Sequence, residues 1–159
     1  MRVRLIVNPA AARVGHKATA AIVGALSAQH DLTTVSTNGR DDATTLAAEA
    51  VCAGDEAVVV FGGDGTLNEA ANALTGSGLV LAVLPGGSSN VFARSVGLSR
   101  HLHTAIDEVL PDLHARSVRR IGLGRVAGRC CLFCPVVGCG GRRARGGGGL
   151  VRGGWAAAA

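Results

Sequence analysis

The chain has no tyrosine, a single tryptophan and three phenylalanines, so aromatic residues make up only 3% of its 159 positions. A core must then be built from Val, Leu, Ile and Ala. No apolar run approaches the roughly 18 residues that a membrane span needs. The opening Met1-Arg2-Val3-Arg4-Leu5-Ile6-Val7 is too short for the apolar region of a signal peptide and runs straight into a strand-like pattern. The expected location is the cytoplasm, where five cysteines, at 52, 130, 131, 134 and 139, form no disulfides. Acidic residues are missing from 142–159, which hold Arg142, Arg143, Arg145 and Arg152. Without those four, the chain carries 12 basic and 11 acidic residues, so the net charge of +5 belongs to the tail and gives no reason to expect a nucleic-acid partner.

What is abundant is apolar aliphatic sequence and glycine. Hydrophobic residues reach 48%, which excludes a disordered chain. The pattern centres on Val58-Val59-Val60-Phe61-Gly62-Gly63-Asp64-Gly65-Thr66-Leu67-Asn68-Glu69. The first four residues read as a strand covered on both faces. Three glycines then allow close backbone approach to a ligand. From Thr66 the apolar residues Leu67, Ala70, Ala71 and Leu74 recur at helical spacing. A glycine turn that delivers helix N–H groups is an anion site.

The same strand–helix alternation recurs along the chain. Val3–Val7, Leu32–Thr37 and Leu79–Leu84 read as further strands. Helices are expected over about 16–29, from Asp41 or Asp42 to about 52, over 91–96 with Ser88 or Ser89 as cap, and over about 100–110, stopped by Pro111. This predicts an α/β fold, a three-layer Rossmann-like, mostly parallel sheet with helices on both faces. The turns after the strands, at Asn8, Thr37, Gly62 and Gly87, gather on one rim. After Pro111, the segments 115–126 and 129–137 read as two antiparallel strands joined at Ala127-Gly128. From Cys139 the sequence is nearly all Gly, Arg and Ala and reads as disordered. The expected domains are 1–112, 113–138 as the start of a β-rich second domain, and the tail 139–159.

Gly62-Gly63-Asp64-Gly65-Thr66-Leu67-Asn68-Glu69 resembles the GGDGTxNE signature of the diacylglycerol kinase catalytic domain family, whose superfamily includes sphingosine, ceramide and NAD kinases. Leu84-Pro85-Gly86-Gly87-Ser88-Ser89-Asn90-Val91-Phe92-Ala93-Arg94 is similar to that family's LPxGTxNDFAR block. Asn8-Pro9 and Thr37 stand, in order, at two further family positions. The resemblance covers about 1–138. It implies transfer of the γ-phosphate of ATP to a lipid hydroxyl, with Mg²⁺. Nucleotide-binding residues would be Asn8, Pro9, Thr37, Gly62, Gly63, Asp64, Gly65, Thr66, Leu67, Asn68 and Ser88. Asp64 would be the catalytic and metal-facing carboxylate. The general base and other metal ligands are expected in a β-sandwich domain of which this chain holds only the opening hairpin.

Three departures accompany the match. Ser88 replaces Thr, Val91 replaces an Asp, and the loop 10–15 lacks the family's Ser-Gly. The tail reads like out-of-frame translation of GC-rich coding sequence, as in a truncated or frameshifted product. Expected partners are ATP and a diacylglycerol-like lipid presented at a membrane surface, with peripheral membrane association and a homodimer left open. The alternatives are an inactive nucleotide-binding fragment and an NAD kinase-like enzyme. Comparing turnover of ATP with diacylglycerol, sphingosine and NAD separates them.

Overall fold

A computed structural model describes residues 1–126, 129–132 and 156–158. Four parallel strands form its centre. They are β1 (Arg2–Val7), β2 (Asp31–Ser36), β3 (Ala57–Gly62) and β4 (Val80–Pro85), in the order β2-β1-β3-β4. Between and after them run α1 (His16–Ser27), α2 (Asp42–Ala53), α3 (Asp64–Leu74), α4 (Val91–Ser95) and α5 (Leu102–His114). This is the predicted α/β alternation. β3, flanked by β1 and β4, is buried along its whole length, which explains its unbroken apolar run AVVVFG. β2 lies at the edge and is mostly exposed, with Leu32 and Val35 half-buried. α2 packs beside α3, and α1 beside α5. Right-handed crossovers set these two pairs on opposite faces.

The register places the site. Val7 pairs with Ser36 and with Phe61, and Phe61 pairs with Leu84. All four strands therefore end level. The chain then extends the ladder by one bond at each exit. Asn8 N–H donates to Phe61 O (3.0 Å), Thr37 N–H to Val7 O (2.9 Å) and Gly86 N–H to Gly62 O (2.9 Å). At the opposite end of the sheet, Arg4 is buried and its Nε donates to Asp55 Oδ2 at 2.8 Å, tying β1 to the turn before β3.

Several local expectations change. α5 passes through Pro111 to His114, because a proline removes one helical N–H and only a final turn lies beyond it. Residues 115–126 are not one strand. β5 (Val118–Arg120) joins the main sheet, whereas β6 (Gly124–Val126) pairs antiparallel with β7 (Arg129–Cys131) in a separate two-stranded sheet. Gly122 lies in the break between β5 and β6. The antiparallel pairing expected here is thus present only as 124–126 against 129–131, with the turn at Ala127-Gly128 outside the described residues, and Ile121, Leu123 and Leu132 remain only half-buried. The sequence offers no period for the tail, yet β8 (Ala156–Ala158) lies between β4 and β5 in the sheet. The rest of the tail, with Trp155 and the arginine cluster, and positions 133–137 fall outside the described residues.

Candidate functional site

The level strand ends open onto a cleft of about 810 Å³. Asn8 and Pro9 reach it after β1, Thr37 after β2, Gly63, Asp64, Gly65 and Thr66 after β3, and Gly87 and Ser88 after β4. Asn8 is fixed from both ends of its carboxamide. Its Oδ1 accepts the Ala10 N–H (3.0 Å), and its Nδ2 donates to Thr66 Oγ1 (2.8 Å). That second bond joins the first turn of α3 to the exit of β1, and Thr66 is buried as a result.

The two glycine turns pack backbone against backbone. A Cβ on Gly87 would stand 2.7 Å from Gly63 Cα, and one on Gly86 would stand 2.9 Å from Gly62 N. No side chain fits between the turns. Gly65 differs, since a Cβ there would meet nothing within 4 Å. Its glycine leaves open space over the start of α3.

Asp64 is the hinge pin of this arrangement. Its Oδ2 accepts the Val91 N–H (2.9 Å) and its Oδ1 accepts the Phe92 N–H (3.0 Å). These are the first amides of α4, so the carboxylate of the β3 turn caps the helix of the β4 turn. The expected cap by Ser88 or Ser89 is absent, and both serines are exposed. Asn90 occupies the cap position instead, at φ 45°. A small polar side chain tolerates that left-handed backbone because it bonds locally. Asn90 Oδ1 accepts the Gly87 N–H (2.9 Å) and its Nδ2 donates to Gly87 O (2.7 Å).

Residues 2–126 match the diacylglycerol kinase catalytic domain family. The chain belongs to that family. It is 34% identical over 133 residues to the diacylglycerol kinase of Bacillus subtilis (strain 168), covering 80% of this chain and 43% of that protein. It is 36% identical over 85 residues to the diacylglycerol kinase of Mycobacterium tuberculosis (strain ATCC 25618 / H37Rv), covering 54% of this chain and 26% of that protein. Its fold is similar to the crystal structure of a diacylglycerol kinase from Bacillus anthracis str. Sterne, with a TM-score of 0.71 and 31% identity over 81% of this chain and 45% of the other. The chain spans less than half the length of each.

Not every family-matched position of this diacylglycerol kinase-like chain lines the cleft. Leu67 is buried in the core, and Gly62 is the covered last residue of β3. Asn68 points away, its Oδ1 accepting the Leu132 N–H at 3.1 Å. The cleft also gathers residues that sequence reasoning did not assign to it. Arg40, the one Lys or Arg lining it among the described residues, follows the turn signal Asn38-Gly39, which was legible only as a turn. Glu69 lines the cleft one helical turn beyond Thr66. Magnesium is a different matter. Among the described residues no three His, Cys, Asp or Glu side chains come together. Both oxygens of Asp64 already accept helix amides. Among the described residues, Asp64 and Glu69 are the carboxylates that line the cleft, and they form no closed cage of three such ligands.

Proposed function

We propose that this chain forms the nucleotide-binding half of an ATP-dependent lipid kinase, which transfers the γ-phosphate to the hydroxyl of a diacylglycerol-like lipid. The observation that carries the reading is the cleft at the level ends of four parallel strands, floored by two glycine turns in backbone contact. Phosphoryl transfer depends mainly on positioning and charge neutralisation. Gly63, Gly65 and the start of α3 present backbone N–H groups to the phosphates. Asn8, Thr37 and Ser88 supply side-chain hydrogen bonds, and Arg40 supplies a cation on the rim. Asp64 acts as a strut that fixes the two turns, and no step is assigned to a metal in this chain. The family supports the kinase class, and the lipid acceptor extends it.

The alternative reading is a nucleotide-binding chain without turnover. Incubation with radiolabelled ATP and diacylglycerol, sphingosine or NAD tests both. Labelled phosphatidic acid is the expected product of the first reading. ATP binding without any labelled product supports the second. Labelled NADP would overturn the lipid assignment.

A further inference from the structure

α3 carries a second polar face, one turn past the phosphate end, that the nucleotide site does not use. Asn68 and Asn72 lie there four residues apart, so they share one side of the helix. Asn72 meets the backbone of β7 with both ends of its carboxamide. Its Oδ1 accepts the Cys130 N–H and its Nδ2 donates to Cys130 O, each at 2.8 Å. The N–H and C=O of one residue point to the same edge of an antiparallel strand. Asn72 therefore occupies the edge of β7 opposite β6 and completes its ladder as a neighbouring strand would. Asn68 Oδ1 accepts the next outward amide, Leu132 N–H, at 3.1 Å. Within the pair, Asn72 Nδ2 also donates to Asn68 O (2.8 Å), which sets its rotamer.

We propose that Asn68 and Asn72 form a clasp that docks the β6–β7 hairpin, and whatever chain follows it, onto the nucleotide-binding sheet. The hairpin is a separate two-stranded sheet, and a lone hairpin is marginal in water. Its described polar attachments to α3 are these two carboxamides. They bond only backbone atoms, so docking fixes the register of β7 without constraining its side chains. The clasp also covers an edge that would otherwise invite pairing with another chain. This builds on the nucleotide site proposed above in one respect: it removes Asn68 from that site and makes it a positioning residue.

Amide hydrogen exchange on the full chain, read beside titration with Mg·ATP, tests the clasp. Asn72→Ala should speed exchange at Cys130 and Leu132 about tenfold, the size expected for losing one or two hydrogen bonds. Amides of β1, β3 and β4 should be unchanged. Asn68→Ala should speed Leu132 exchange and leave ATP affinity within about twofold. Wild-type protection of Cys130 in Asn72→Ala, or a tenfold loss of ATP affinity in Asn68→Ala, would overturn the clasp. If Asn72→Ala does not fold, the isosteric Asn72→Asp keeps the acceptor and loses the donor. Intermediate exchange is then expected, and wild-type exchange would again overturn it. Asn8→Ala serves as the control for the nucleotide reading. If it leaves ATP affinity intact, that reading fails, while the exchange rates still decide the clasp.

Discussion

Asp64 joins two turns through one carboxylate. It belongs to the β3 exit, and its acceptors serve the first two amides of α4. Removing it leaves those amides without a partner and severs the link between the turns. Asp64→Ala should cost about 1–2 kcal/mol, the usual range for losing a helix cap. Asp64→Asn keeps one oxygen and should cost less. Thermal denaturation reads both. A variant of undiminished stability that lost ATP binding would show that the carboxylate serves a ligand instead. The chemistry of this residue was legible from its glycine flanks, but its partner was not. Val91 and Phe92 are 27 and 28 residues away. Only the level strand ends bring them together. Asn90 escaped notice for a related reason. Its value lies in a left-handed backbone that composition does not reveal.

Among elements, the strand–turn–helix units read most clearly. The change from a short unbroken apolar run to an apolar stripe of period 3.6 marks them. β3 and α3 were visible because burial on all sides gives an unbroken apolar run and then a helical stripe. Elements held by tertiary contacts read poorly. α5 runs past Pro111 because its last turn packs Leu113 into the core. β5 and β6 separate where one continuous strand was expected. The glycines of the two turns make opposite predictions. Gly87→Ala drives a methyl into the backbone of Gly63 and should destabilise by about 1–3 kcal/mol, as overpacking does. Gly65→Ala meets no atoms and sits in the first turn of α3, so it should stabilise by up to about 1 kcal/mol. The same methyl stands on the cleft wall and should weaken ATP binding. Denaturant titration and ATP titration of the two variants check this. A Gly65→Ala chain that bound ATP normally would show that the space over α3 is not used.

For the whole molecule, His30 gives a pH dependence. It precedes β2, is buried, and its ring lies 5.9 Å from that of His114 at the end of α5. Its Nδ1 has no hydrogen-bond partner among the described residues. Burial lowers its pKa below the ordinary histidine value, and the positive N-terminus and His114 push the same way. The unfolded chain therefore binds the proton more readily. Stability is fully present above about pH 6.5 and falls as pH drops through the lowered folded pKa. Melting temperatures between pH 7.5 and 5 should decline in the wild type and decline less in His30→Asn. Equal slopes would remove His30 as the cause. Glu56 is depressed too, by the Arg2 backbone N–H first and then by Arg116, so its contribution is lost only at more acidic pH.

The parallel sheet, its helices and the rim were thus readable from pattern. The placement of β8, a run of three alanines between β4 and β5, was not, because alanine carries no strand signal. The central claim is that the rim holds a nucleotide through Asn8, the residue that ties the β1 exit to Thr66. Titration calorimetry of the full chain and of Asn8→Ala with Mg·ATP tests it most directly. The account predicts saturable binding to the wild-type chain and about tenfold weaker binding to the folded variant, as expected for losing a positioned hydrogen bond. No binding by the wild type, or equal binding by both, would contradict it.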